Sequence, residues 1–212
     1  YIYQLFPQMK KITVLLLILL CTSLSWSQKI DDVFKAMPFE IVPGLTSEDK
    51  EMIVVDKVEV SVPNQLGEIK KIEHTDTFVK LQTSKVGTTQ IKLLSAEGSS
   101  DIVCVIKSIC DDACDSNVRF FTTEWRELDK ESLLPKVDIN YFINVEGIKN
   151  SIETDIALPL YIPLQAVLNK DDNNLTIKID IDKLFTASQI DKMKPYILNE
   201  ELSLSWNGTS FN

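Results

Sequence analysis

The chain has 212 residues, with 22 basic against 31 acidic side chains and a formal net charge of −9. Such a balance, without a basic stripe, repels phosphate backbones and excludes nucleic acid as a partner class. Apolar residues make up 44% of the chain, and there is no Gly/Ser-rich or Pro-rich tract, so a packed fold is expected.

Residues 1–8 precede the first methionine, Met9, and read as upstream translation. Residues 9–27 then read as a signal peptide. Lys10 and Lys11 supply a positive start, Ile12 to Leu20 form an apolar run of nine residues, and Ser25 and Ser27 place small side chains before a cut ahead of Gln28. A bilayer span needs about 20 apolar residues, so no membrane-spanning anchor is expected in the mature chain. Cys21 lies where an acylated cysteine would sit, but Leu20 and Ile18 fit that signal poorly, and a cleaved protein without a lipid anchor is expected. Removing residues 1–27 takes away Lys10 and Lys11, leaving 185 residues with 20 basic and 31 acidic side chains, a balance of −11.

Three cysteines then remain, and three pairings are open, each leaving one thiol free. The favoured pair is Cys110–Cys114, in the polar turn CDDACDSN. Cys104 shares strand parity with Ile102 and Ile106, as expected of a buried, inert thiol. The spacing of Cys110 and Cys114 is not that of a thioredoxin-type redox motif.

Along the mature chain, Ile30, Val33, Phe34 and Met37 form a helical stripe, with Asp31 and Asp32 at its positive end and Pro38 closing it. A second helix is predicted from Thr46, capped together with Asp49, with Met52, Ile53 and Val55 buried. Pro63-Asn64 and Gly67 punctuate the exit. Alternation then predicts strands near 68–74, 77–83, 88–95, 101–109 and 117–123, followed by a polar stretch over 126–136 that forms a weak seam and holds at most a helical turn. The clearest strand signal follows: Val137, Ile139, Tyr141, Ile143 and Val145 share one parity. Ile156 to Leu164 gives a second stripe, interrupted by Pro159 and Pro163. Leu175, Ile177, Ile179 and Ile181 give a third. Thr186 and Gln189 resemble a capping box opening a helix with Ile190 and Met193, and Leu202, Leu204 and Trp206 form a last strand. The expected architecture is α+β in residues 28–212, a single domain: a mostly antiparallel sheet, dry on one face, with two N-terminal helices and one C-terminal helix packed on it.

No constellation points to bond chemistry. His74, the one histidine, has no ligand partner at metal-binding spacing and is expected at the surface of a strand end. Asp111, Asp112 and Asp115, and Asp171 and Asp172 with Asn173 and Asn174, lack calcium-loop spacing and read as turns between strands. No nucleophile elbow and no glycine-rich phosphate loop occur, so no cofactor is expected. A carboxylate pair for glycoside hydrolysis depends on distances that spacing does not give. Phe142 sits on the polar parity of its strand and is the candidate interaction surface. Asn174-Leu175-Thr176 and Asn207-Gly208-Thr209 match the spacing of glycosylation acceptors.

The segments SWSQ, DVFKAMP, VPNQLGEIKKI and VCVIKSICDDACDS, followed by Trp125, resemble the exported Bacteroidetes family known as domain of unknown function 3256. The resemblance covers most of the mature chain, to about residue 210. It implies a cell-envelope location and brings no activity with it; Cys104 is the departure. The function expected is a non-enzymatic envelope or periplasmic binding or interaction module, whose partner or ligand is unknown. Its rivals are a hydrolase using a carboxylate pair and a small-molecule carrier with a pocket between helices and sheet.

Overall fold

Hairpin follows hairpin because each alternating segment is joined to the next by a short polar turn. In the computed structural model, which describes residues 29–55, 59–98, 100–151, 156, 158–159 and 161–212, this produces an antiparallel meander. Strands β1 (Ser61–Asn64), β2 (Gly67–His74), β3 (Phe78–Gln82), β4 (Gly87–Leu94), β5 (Ile102–Cys110), β6 (Cys114–Thr122) and β7 (Glu127–Leu128) pair in chain order as one seven-stranded sheet. A second antiparallel sheet has the order β10 (Glu201–Ser205), β9 (Asn174–Lys178), β8 (Gln165–Leu168). With the helices this is an α+β fold. The leader expected over 9–27, its cut before Gln28, Cys21 and residues 1–8 lie outside the described residues.

The five strands predicted between Glu68 and Thr123 are all present as β2 to β6. β1 was not expected: Pro63-Asn64 reads as punctuation, yet Ser61 pairs with Lys70 and Asn64 with Gly67. Proline is tolerated there because β1 pairs only with β2, and a sheet edge does not need its amide. Glu127 and Leu128 pair with β6, and a short helix α3 (Lys130–Leu133) follows, as the polar stretch allowed.

The sheet is not dry on one face and wet on the other. Its central strands are buried on both. Odd-numbered Ile91, Leu93, Val103 and Val105 pack in one core with Ile30, Val33 and Phe34 of α1 (Ile30–Lys35) and Ile53 and Val54 of α2 (Ser47–Val55). Even-numbered Leu94, Cys104, Ile106, Val118 and Phe120 pack in a second core with the three-stranded sheet and the C-terminal segments.

The α1 stripe is buried as its spacing predicts, and Thr46 and Asp49 exchange cap hydrogen bonds at 2.9 and 3.2 Å. The inner side of α2 differs from expectation. Met52 and Val55 are 49% and 71% exposed, whereas Lys50 is buried and donates to the Met37 carbonyl at 2.7 Å. The lysine satisfies an orphan carbonyl just past α1, so the helix turns Lys50, Ile53 and Val54 inward.

The strand expected over Val137–Val145 does not form. Ile139–Tyr141 is a 3-10 turn and Val145–Asn150 is a helix, α4. Two short polar side chains decide this: Asp138 accepts from the Asn140 amide at 2.8 Å, and Asn144 accepts from the Gly147 amide at 2.9 Å. Both are helix-cap residues that compete with ladder pairing. The Ile156–Leu164 stripe is likewise not a strand among its described residues, and regular pairing begins only at Gln165. β9 ends at Lys178, and Ile181 opens helix α5 (Ile181–Leu184) instead of extending the strand. The capping box of Thr186 and Gln189 is complete, and α6 (Ala187–Met193) stops before Pro195 as expected.

Candidate functional site

In a meander the turns between β1 and β2, between β3 and β4, and between β5 and β6 all fall at the same end of the sheet. At that end the helical layer stops short. The connection from α1 to α2, including Phe39 to Gly44, arches over the sheet and leaves a cleft of about 850 Å³. Its walls are Ile41, Val42, Pro43, Pro63 and Leu66, and its floor includes Thr89 and Lys107. At its rim Phe39, Leu66 and Ile109 are 61%, 72% and 64% exposed, an unusual concentration of large apolar side chains in water.

Local sequence builds each wall. Gly44 has φ of +98°, a left-handed conformation that glycine adopts freely, and a Cβ there would stand 3.1 Å from the Asn64 side chain. Asn64 in turn accepts from the Leu66 amide at 3.1 Å and donates to the Pro43 carbonyl at 3.4 Å, so one amide ties two walls together. The far side is held by the β5–β6 hairpin. Cys110 and Cys114 are cross-strand partners joined by the favoured disulfide, and the Cys110 amide donates to the Val86 carbonyl in the β3–β4 turn at 2.8 Å.

Lys107 is the charged group of this cleft. It follows Val103 and Val105 on the buried parity of β5, lies opposite Thr89 on β4 and Asn117 on β6, and forms no ion pair among the described residues. Its ammonium donates one long hydrogen bond, 3.4 Å, to the Glu40 carbonyl. Desolvation, and then the neighbouring Arg119 charge, hold its pKa below the ordinary lysine value. Arg119 is itself spent: it grips Glu127 with two bonds of 2.7 and 2.6 Å, which raises its own pKa.

The opposite face of the sheet carries polar side chains of another kind. Gln90 accepts from the Leu168 amide at 2.9 Å and donates to the Ala166 carbonyl at 3.4 Å. The Ser116 hydroxyl accepts from the Ala166 amide at 2.9 Å. Lys92, 1% exposed, donates to the Asn169 and Lys170 carbonyls at 2.8 and 3.2 Å and lies 5.7 Å from the Phe78 ring centre. Burial pulls its pKa down, and the charges of Asp172 and Asp171 oppose that in part. Gln90 and Ser116 thus hold the edge of β8, and Lys92 holds the turn that follows it.

The remaining candidate residues scatter. Phe142, expected to be exposed, is fully buried in the core shared with the C-terminal segments, and its carbonyl accepts from the Leu198 amide. Burying such a ring is worth roughly 2–3 kcal/mol, more than the whole span of strand propensity, about 1 kcal/mol, that its parity argument rested on. Cys104 is buried and free, and desolvation pushes its thiol pKa far up. His74 ends β2 half-buried and pairs with Asp31 of α1 at 2.7 Å. Asp111 and Asp112 occupy the turn closed by the disulfide, and Asp171 to Asn173 lie in the β8–β9 turn, where Asp172 accepts from the amide of Asn174 at the start of β9. Among the described residues no three His, Cys, Asp or Glu side chains converge on a metal position, and no helix is long and apolar enough to cross a membrane.

A second cleft, about 620 Å³, is lined by Asp115, Asp138, Tyr161 and Lys149. Asp115 accepts from the Tyr161 hydroxyl, raising the tyrosine pKa, and from the Leu164 amide at 3.4 Å. The main cleft was not foreseen. The signal that could have found it is a polar break, Thr89 opposite Lys107, in otherwise apolar stripes of two central strands.

No curated protein matches the chain. A solved structure, that of a domain of an uncharacterized protein from Porphyromonas gingivalis W83, is similar in fold: 20% identity, 88% of this chain and 98% of that one covered, TM-score 0.73. A family model described as protein of unknown function (DUF3256) matches residues 22–211, and the chain belongs to that family.

Proposed function

We propose that this protein is an exported, non-enzymatic binding module that takes its ligand in the cleft at the turn end of the seven-stranded sheet. The observation that carries this reading is the apolar cleft itself, rimmed by exposed Phe39, Leu66 and Ile109. Its volume falls within the roughly 300–1,000 Å³ of small-molecule sites, and its lining pairs apolar walls with a few hydroxyl, amide and ammonium groups. The leader-like residues 9–27 and the Cys110–Cys114 disulfide support an oxidising, extracytoplasmic compartment.

Titration of the purified protein with the neutral dye Nile red is expected to give one saturable site, weakened at least tenfold in the double variant Leu66→Asp/Ile109→Asp. Those side chains are exposed, so the variant keeps its thermal midpoint. Saturable binding that ignores both substitutions, or none at all, removes the cleft from consideration. Recovery of the protein in the cytoplasmic fraction of its source cells would remove export.

A hydrolase reading has one observation behind it, the presence of Asp115 and Asp138 in the second cleft. Both are already engaged in holding backbone amides. Turnover of a glycan or peptide panel, lost in Asp115→Asn, would put that reading first.

A further inference from the structure

Resting on the binding reading above, we propose that the ligand of the main cleft is a long-chain monocarboxylate, its apolar chain against the walls and its carboxylate on Lys107. Four observations lead there. The walls are apolar on both sides, through Ile41, Val42 and Pro43 on one and Pro63 and Leu66 on the other. The wall amide of Asn64 spends one N–H and its oxygen in tying those sides together, which leaves the walls mainly apolar. Lys107 brings a positive charge to the floor of a cleft whose described lining holds no carboxylate, in a chain of net charge −9. Its one hydrogen bond is long, and a desolvated ammonium gains most from a partner of opposite charge.

The head group carries one negative charge for a reason of balance. Arg119, whose charge also acts on Lys107, is already neutralised by Glu127, and Lys107 is the one charged residue of the cleft's described lining. A phosphate dianion would leave an excess negative charge in a half-buried site on an already acidic protein.

Displacement of Nile red from the purified protein tests this assignment. Dodecanoate, below its micelle concentration, is expected to displace the dye at a concentration at least tenfold lower than dodecan-1-ol. Lys107→Met should bring dodecanoate and dodecan-1-ol to equal potency, and Lys107→Arg should retain the preference. Lys107→Gln serves if the methionine variant does not fold. Equal potency of acid and alcohol in the unmodified protein, a preference that survives Lys107→Met, or tighter binding of dodecyl phosphate overturns the assignment. Dye binding that persists in any of those cases shows that the cleft binds apolar ligands and only the head group is wrong. Absence of dye binding sinks the cleft itself.

Discussion

The two faces of the seven-stranded sheet are covered by different means. Helices α1 and α2 lie on one face, where the residues of β4 and β5 in the shared core, Ile91, Leu93, Val103 and Val105, are aliphatic. The edge of a second sheet lies on the other, and there Gln90, Lys92, Ser108 and Ser116 stand among the apolar residues. The difference follows from what each cover presents. A helix satisfies most of its own backbone and leaves only end carbonyls, such as those of Val33 and Ile53, to Trp125 and Lys71. An edge strand instead brings unpaired amides and carbonyls along its length that need polar partners. The helical cover also ends where its connection turns, and that is where the cleft opens.

Breaking the polar face should cost most. Gln90→Leu keeps the side-chain volume but leaves the Leu168 amide and the Ala166 carbonyl without partners, and about 3 kcal/mol of stability should be lost, at roughly 1–3 kcal/mol per orphaned buried group. Urea denaturation measures this; a loss below about 0.5 kcal/mol would mean that β8 docks by apolar packing alone. Next in size is the covalent tie at the open end. Replacing Cys110 and Cys114 together by serine should remove about 2 kcal/mol, as loop-closure entropy gives for so short a loop. An unchanged denaturation midpoint would show that the hairpin is held by its ladder and not by the disulfide. The smallest effect belongs to the cleft wall: Gly44→Ala forces a Cβ into a left-handed position against Asn64 and should cost about 1 kcal/mol. A stabilised Gly44→Ala variant would show that this wall is free to move.

How legible each part was depends on how local its cause is. The hairpins β2 to β6 could be read because alternation and turn chemistry lie within a few residues of each other. Thr46–Asp49 and Thr186–Gln189 could be read for the same reason. Residues 137–145 misled because their alternation matches a strand while Asp138 and Asn144 act as caps, and no period reports which property prevails. Phe142 was misplaced as a consequence. Lys50 was missed because its partner, the Met37 carbonyl, lies 13 residues away, past the end of α1. The cleft was illegible in outline: its walls come from the α1–α2 connection, two turns and the end of β5, and their meeting depends on the fold as a whole.

The treatment of β8 has a consequence for association between molecules. Exposed strand edges are templates on which another chain can add a strand and begin to aggregate. In the three-stranded sheet the outer groups of β8 are taken by Gln90 and Ser116, and at the other edge Ser205 exchanges two backbone hydrogen bonds with Asn212. In the larger sheet, β1 carries Pro63 and β7 is only two residues long. Each of these four edges is therefore blunted by a different device, and the fold offers a neighbouring copy little backbone on which to grow.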